Sequence, residues 1–314
     1  MLPLVFSLSF LVCFVCLVGT HFQRNFFMPE LPEVEVLVRH LRPQLLGRTI
    51  RAVAVRRALV LAPTRAATLK RTLAGATFRE VRRRGKFLLF TLQSPRRTAP
   101  VLLVGHLGMT GRMYLEPRAA PLAKHAAVTL DLGAERFVFE DTRYFGRLTL
   151  DDSSLARLGP EPLADEFSRD GFAAALAKSA QAIKVKLLDQ SLVAGVGNIY
   201  ASEALHRAGI SPRLAARRLQ PRQIERLWNA IREVLAQAIE CGSTLPLDWP
   251  GKQGRDGLFY FGQADGAGSF YEERLQVYDR AGQGCRQCET KIVRLVQAAR
   301  STFFCPRCQV GRAR

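Results

Sequence analysis

The sequence predicts a multidomain α+β fold, in which a β-sandwich behind a leading helix is followed by a helical region and a small four-cysteine hairpin. Three observations predict it. Between about residues 48 and 150 the apolar residues fall in short runs with period-two alternation, as in Val128-Thr129-Leu130-Asp131-Leu132, the mark of half-buried strands. Past Leu158-Gly159-Pro160-Glu161-Pro162 the period lengthens towards 3.6, the spacing of amphipathic helices. Near the end, Cys285, Cys288, Cys305 and Cys308 stand as two CxxC pairs in a segment too short to build a core of its own.

The elements follow in order. Residues 1–27 carry an uncharged apolar run, Leu2–Val18, and one formal charge, Arg24. The run lacks the basic start of a signal peptide and is at the short limit for a membrane span. Three readings stand: a start codon assigned too far upstream, with translation beginning at Met28; a cleaved targeting segment; a retained anchor. The first or second, in which the leader is absent, is the expectation that the chemistry below requires. After Met28, Pro32 suits the first turn of a helix, Glu33 and Glu35 favour its positive end, and Val34, Leu37, Val38 and Leu41 form one apolar face up to Pro43. Strands are predicted at Phe87–Leu92, Val101–Leu107, Ala127–Leu132, Phe137–Glu140 and Arg147–Leu150. Helices are predicted at Phe172–Lys178, Gln181–Asp189, Asn198–Ala208 and Pro221–Glu240. The last has Ile224, Leu227, Ile231, Val234, Leu235 and Ala238 on one stripe, with Pro221 at its start and Gly242 beyond its end. A glycine-rich stretch, 251–268, reads as a long loop. The domains are therefore drawn at 28–155, 156–280 and 281–314.

Charge narrows the partner. With 46 Lys+Arg against 27 Asp+Glu, the 314-residue chain carries +19, spread along its length instead of confined to a tail. Such a surface suits a polyanion, nucleic acid first and an anionic membrane second. The 48% apolar and 23% charged content excludes disorder. The seven cysteines are odd in number and clustered, which argues for a metal site over a secreted disulfide framework.

Four motifs carry chemistry. Cys285-x2-Cys288-x16-Cys305-x2-Cys308 is the four-thiolate zinc pattern, one structural Zn²⁺ with no open coordination position, whose binding supplies the folding energy of this module. Lys291, Arg294, Arg300, Phe303 and Phe304 between the knuckles suit a nucleic-acid backbone. Gly195-Val196-Gly197-Asn198-Ile199-Tyr200 sets a glycine turn before a helix with Asn198 as expected N-cap, so that backbone N–H groups point at an anion, a phosphate being the expected one. Alone, such a motif is more often just a turn. Lys184 and Lys186 line the same path or a solvated face. His106-Leu107-Gly108-Met109-Thr110-Gly111 and Asp141-Thr142-Arg143-Tyr144-Phe145-Gly146 are strand-to-loop junctions, in which Met109 and Phe145 would by default be core, and Lys86 opens a strand after Arg82-Arg83-Arg84-Gly85.

Taken together and in this order, Pro29-Glu30-Leu31-Pro32-Glu33-Val34-Glu35, HLGMTG, DTRYFG, VGNIYASE at 196–203 and the CxxC pairs closely resemble bacterial formamidopyrimidine-DNA glycosylases, over about 29–314. The endonuclease VIII branch is less similar, since its opening motif usually has Gly in place of Leu31. The resemblance implies a base-excision repair enzyme, a DNA glycosylase and AP lyase that removes oxidised purines (8-oxoguanine and formamidopyrimidines) from damaged double-stranded DNA. The implied architecture is an N-terminal β-sandwich, a helix-two-turn-helix domain and a zinc hairpin. The implied setting is a bacterial cytoplasmic monomer with no membrane partner. Two alternatives are an endonuclease VIII-like enzyme for oxidised pyrimidines and, if the leader is retained, a non-catalytic zinc-containing DNA-binding protein.

By the same resemblance Pro29 is the nucleophile, as a free secondary amine that forms a Schiff base at C1′. An internal proline nitrogen is a tertiary amide without a usable lone pair. Glu30 is the general acid, Lys86 contacts phosphate and assists β-elimination, and Arg300 is tied to δ-elimination and to phosphate. Met109, Arg143 and Phe145 match the residues that fill the space left by an extruded nucleotide. His125, Lys184 and Asn198 are implied DNA contacts, and Glu33 and Glu203 are expected to help hold the flipped base. The chain departs from the family pattern in a longer 245–270 segment, which leaves lesion preference open, and in Tyr144, where a basic residue is common.

Overall fold

The computed structural model describes residues 29–241 and 274–310; the leader and the 245–270 loop expected from the sequence lie outside the described residues. Among the described residues no helix is long and apolar enough to cross a membrane.

The described residues open on helix α1, Leu31–Leu45, with Pro32 in its first turn and Glu33 Oε2 accepting the Glu30 backbone N–H at 2.8 Å. It runs through Pro43, which the sequence reading took as its end. Proline there removes one backbone donor near the C-terminus, and the apolar face, continued by a fully buried Leu45, outweighs that loss. Strands β1 (Ala52–Val55), β6 (Ala126–Asp131), β7 (Glu135–Asp141) and β5 (Gly111–Pro117) form one antiparallel sheet in the order β1-β6-β7-β5. Strands β2 (Thr77–Arg84), β3 (Phe87–Gln93), β4 (Val101–His106) and β8 (Arg147–Thr149) form the other, in the order β2-β3-β4-β8. A short helix α2, Ala66–Leu73, lies between β1 and β2.

The predicted sandwich is thus present, and its core is aromatic. Phe90 meets Phe78 within its own sheet, edge-on at 6.0 Å, and Phe137 of the facing sheet at 5.8 Å. Val128, Leu130 and Leu132 are buried while Thr129 and Asp131 are half-buried, as the alternation predicts. The sequence reading did not pick out β1, α2, β2 or β5.

The second lobe holds α3 (Arg169–Ala177), α4 (Ile183–Leu187), α5 (Asn198–Arg207) and α6 (Pro221–Glu240). Helix α6 has the predicted bounds and buries Leu227, Ile231, Val234, Leu235 and Ala238. The predicted helix at Gln181–Asp189 is shorter than expected, because Ala182 pairs with Ala215 as an isolated bridge before α4 starts. The hairpin β9 (Val293–Gln297) and β10 (Arg300–Phe304) closes the chain. Its two turn residues, Ala298 and Ala299, are both left-handed at φ 47° and 59°, the backbone of a tight twisted hairpin turn that usually selects Asn or Gly.

The lobes meet at α1 and at the linker 158–161. Val34 to Leu45 belong to the sandwich core, whereas Leu31, on the same helix, belongs to the helical core. In the linker, Glu161 accepts from the Gly85 N–H at 2.5 Å and from Arg84 Nη1 at 3.1 Å through Oε1. Its Oε2 lies 2.8 Å from Arg83 Nη2 as an ion pair without hydrogen-bond geometry. Arg83 also reaches Glu35 of α1 at 3.0 Å, and Arg84 donates to the Gly159 carbonyl at 2.6 Å. Burial pushes the Glu161 carboxyl up, but Arg83, the Gly85 N–H and Arg84 more than reverse it and hold it below the usual range.

Removing one partner of such a cluster strands the others. Glu161→Ala is expected to cost about 3 kcal/mol in urea unfolding, and Glu161→Gln less, because its amide oxygen still accepts from Gly85. A depressed folded value means that the ionic contribution is complete above the unfolded value of 4.5 and is lost as the pH falls through the folded one. The gap between parent and Glu161→Gln should therefore close below about pH 4.5.

Candidate active site

The site forms where α1 meets α5. Glu30, only 2% exposed, sends its carboxylate across the lobe boundary to the first turn of α5, where Oε1 accepts the Ile199 N–H at 2.9 Å and Oε2 the Tyr200 N–H at 3.4 Å. Beside it the Leu31 N–H donates to the Gly195 carbonyl at 3.1 Å. The glycines of the turn now have a physical reason. A Cβ on Gly197 would collide with the Glu30 carboxyl carbon, and one on Gly195, at φ +87°, with the Leu31 side chain. The anion expected at this helix end is therefore the chain's own carboxylate and not a phosphate. The N-cap is Gly197, in place of the expected Asn198.

Glu30, Lys86, Met109, Asn198, Tyr278 and Arg300 line one cavity of about 200 Å³. A larger one, about 910 Å³, lies at the other end of α5 beside the cysteines, but Glu30 and Lys86 face the smaller. Burial, opposed by Lys86 and reinforced by Glu33, pushes the Glu30 carboxyl up to about 7. The Lys86 ammonium is held below its ordinary range, first by removal from water, against the pull of Glu30 and with help from the Arg300 charge. The cavity therefore pairs an acid that still holds its proton near neutrality with an amine that gives one up more readily than free lysine. Pro29 is buried at the mouth of α1, directly before Glu30.

Lys184 is fully buried and does not present its charge to solvent. Its Nζ donates to Asn198 Oδ1 at 2.6 Å, and its pKa falls to about 8, burial being the main cause, opposed by Glu30 and aided by Arg300. The Asn198 amide passes the link on, with Nδ2 donating to the Ser301 carbonyl at 2.9 Å beside Arg300. Arg300 itself is exposed, next to the hairpin turn.

The two strand-to-loop junctions form one ridge. Buried Asp141 accepts from Thr110 Oγ1 at 2.5 Å, from the Arg143 N–H at 3.1 Å and from the Gly146 N–H at 2.7 Å. Gly108, at φ +63°, lies so close to Gly146 N that a Cβ there would clash. From this base Phe145 stands 54% exposed, with the Arg143 guanidinium 4.8 Å from its ring centre. Met109 is half-buried at the edge of the cavity, and His125 packs against Tyr144 at 6.4 Å. An exposed phenylalanine on a braced loop is not a core residue, so the default reading of Phe145 fails.

Glu33 and Glu203 do not face an open base site. The Glu33 carboxylate takes the Glu30 N–H and the Tyr200 hydroxyl, the latter at 2.6 Å. Glu203 takes the N–H groups of Gln276, Val277 and Tyr278 at 2.8 to 3.0 Å. The second arrangement sets Tyr278 in the cavity wall, 3.5 Å from Asn198. The sequence reading missed Tyr278; its position just before the first CxxC pair was the one available signal.

The Sγ atoms of Cys285, Cys288, Cys305 and Cys308 all lie within 4.8 Å of one another, with close pairs at 3.3 to 3.9 Å. A tetrahedral zinc with arms of 2.3 Å needs sulfurs about 3.8 Å apart, so the donor set fits one zinc ion. The His206 ring lies 3.6 Å from Cys285 Sγ.

Comparison with known proteins gives three domain families in chain order: the formamidopyrimidine-DNA glycosylase N-terminal domain over 28–148, the formamidopyrimidine-DNA glycosylase H2TH domain over 158–246, and the zinc finger found in FPG and IleRS over 282–310. The formamidopyrimidine-DNA glycosylase of Desulfitobacterium hafniense is 41% identical over 290 residues, spanning 90% of this chain and 100% of that protein. Its namesake from Thermus thermophilus is 43% identical over 289 residues, spanning 90% and 98%. Among solved structures, Lactococcus lactis Fpg with DNA containing N7-benzyl-Fapy-dG is 32% identical with a TM-score of 0.78, covering 90% of this chain and 99% of that one. The structure of MutM with DNA containing carbocyclic 8-oxo-G matches with the same identity, score and coverage.

The site yields two expectations. A folded value of about 7 against 4.5 means that the native protein holds a proton the unfolded chain has released, so stability falls as pH rises from about 4.5 to 7. Glu30→Gln, which never ionises, should be more stable than the parent 314-residue chain by about 3 kcal/mol above pH 7 and nearly equal to it below 4.5, read by denaturant unfolding across pH. Cys305→Ser should abolish stoichiometric zinc by plasma emission and loosen residues 282–310 in hydrogen exchange, leaving the sandwich protected.

Proposed function

Because this chain belongs to the formamidopyrimidine-DNA glycosylase family, we propose that it is a bifunctional DNA glycosylase and AP lyase that excises oxidised purines, 8-oxoguanine and formamidopyrimidines, from duplex DNA and then cleaves the strand. It would act as a cytoplasmic monomer, with 28–155 as catalytic domain, 156–280 as DNA-binding domain and 281–314 as zinc clamp. The observation that carries the reading is a carboxylic acid held near pKa 7 directly after Pro29, in a cavity shared with a lysine of lowered basicity.

The steps follow from that pairing. With residues 1–28 absent, the Pro29 nitrogen is a secondary amine with a pKa of about 8, and its neutral form attacks C1′ of an extruded nucleotide. The base leaves with the proton shed by the attacking nitrogen, and the Glu30 proton goes to the sugar ring oxygen, opening the ring to a cationic iminium. The iminium makes the C2′ proton acidic; neutral Lys86 takes it, and the 3′ phosphate departs in β-elimination. Loss of the 5′ phosphate follows by δ-elimination, with Arg300 holding phosphate, a better role for a guanidinium than giving up a proton. Lys184 serves by fixing the Asn198 amide, which with His125 and Arg143 faces the backbone. Phe145 and Met109 fill the gap left in the duplex, with Arg143 directed at the orphaned base.

Protein translated from Met28 should give a borohydride-trapped adduct on an 8-oxoguanine duplex. Pro29→Gly should lose most of it, and Glu30→Gln should slow base release by about 10²-fold or more while still cleaving a preformed abasic site. Because Glu30 must carry its proton, base release should fall above about pH 7. Efficient trapping by protein still bearing residues 1–27 would overturn the proline assignment, and preference for an oxidised pyrimidine over 8-oxoguanine opposite cytosine would overturn the substrate class.

A further inference from the structure

Several arginines of the sandwich lobe have spent their charge on neighbouring carboxylates. Arg39, Arg48, Arg83, Arg84, Arg118 and Arg136 each lie within ion-pair distance of a carboxylate. Arg57 differs. It is exposed and pairs with no acid among the described residues, and its guanidinium rests on the Tyr144 ring, 5.6 Å from the centroid, with Nε donating to Tyr144 Oη at 3.3 Å. Its backbone is pinned, since the N–H groups of Arg56 and Arg57 both donate to the Ala127 carbonyl, at 2.8 and 3.2 Å, two residues beyond His125.

Tyr144 is equally fixed. It sits in the left-handed region at φ 55°, its carbonyl accepts from Arg147 Nη1 at 3.2 Å, and its ring packs on His125. A phenol and a ring face orient a guanidinium without neutralising it, so Arg57 keeps its full charge and both Nη groups for an outside acceptor. The same loop repeats the device, with Arg143 held over Phe145. Both cations stand on aromatic supports along one edge that also carries His125.

We propose that Arg57, oriented by Tyr144, binds a backbone phosphodiester of duplex DNA and extends the contact face of His125 and Arg143 by one phosphate. This rests on the reading of that face as the DNA side. The planar fork suits two phosphate oxygens at once, and the ring holds it ready, which lowers the ordering cost of the contact.

The test is binding to fluorescent duplexes, undamaged and carrying an abasic analogue, across a salt series. One phosphate contact contributes about −0.9 to the slope of log K against log salt. Arg57→Gln should reduce that slope by about 0.9 and weaken both duplexes by the same factor, with an unchanged Tm. Tyr144→Ala should lose part of the same increment, and Arg57→Gln should cost less in that background than in the parent. Tyr144→Phe, which keeps the ring, should retain most of the binding. An unaltered slope in Arg57→Gln, with Arg143→Gln lowering it, overturns the assignment of Arg57; fully additive effects of Arg57→Gln and Tyr144→Ala overturn the coupling. If neither Arg57→Gln nor Arg143→Gln moves the slope, the underlying choice of DNA face is wrong as well.

Discussion

The contact between the Glu30 carboxylate and the first turn of α5 carries the rest of this molecule. A helix N-terminus presents unpaired N–H groups and a partial positive charge, and here both are met by a carboxylate that arrives from the other lobe. That one contact accounts for Gly195 and Gly197, for the buried start of α1, and for the assignment of Leu31 to the helical core while the rest of its helix serves the sandwich. It also explains why the carboxyl is not strongly acidic. Two amide hydrogen bonds and Lys86 favour the anion, but complete removal from water outweighs them and leaves the group near 7. The folding contact and the proton-holding group are the same atoms.

Around that contact the charges form a graded set. Lys86, Lys184 and Arg300 all act on one another or on Glu30. Arg300 adds to the effect of burial in lowering the basicity of both lysines, and Glu30 offsets only part of this. Glu33 adds a second carboxylate without a free face, because it caps α1 and receives the Tyr200 hydroxyl. In a cavity of about 200 Å³ such a set is costly to keep dry, and it suits a polyanionic ligand whose phosphates would meet the unbalanced cations.

How far these features could be read in the sequence depended on whether a residue's job was set by its own neighbours or by distant ones. Helix α6, strand β6 and the zinc knuckles are defined by local periodicity or spacing, and all three were legible. Strand β2 was not, because Thr77–Arg84 reads as TFREVRRR and its basic residues look solvated until Glu35 and Glu161 are brought beside them. The glycine turn was legible as an anion site, but nothing in it told that the anion was 169 residues upstream of Ile199 in the same chain. Lys184 looked like a surface cation for the same reason, since its burial follows from Asn198 and the hairpin closing over it. Tyr278 had no motif, its place in the wall coming from the three amides that Glu203 draws together.

Helix α5 joins these parts mechanically. Ten residues make a rod about 15 Å long, and its two ends are held by different chemistry. At the N-terminus stand Glu30 and, through Asn198, the hairpin carbonyl of Ser301. At the C-terminus His206 touches Cys285, and just beyond it the Ile210 carbonyl accepts from Gln309, whose own side-chain oxygen accepts the Cys305 N–H. The metal knuckles are thus seated on the far end of the rod whose near end forms the cavity. The hairpin runs back from the knuckles to the Asn198 amide, completing a closed path. The zinc module has only a small apolar cluster of its own, Val277, Ile292 and Phe303 around the cysteines, and the path adds to what orients it: the rod spaces the knuckles from the acid, and the returning hairpin carries Arg300 to the cavity that Glu30 and Lys86 also line.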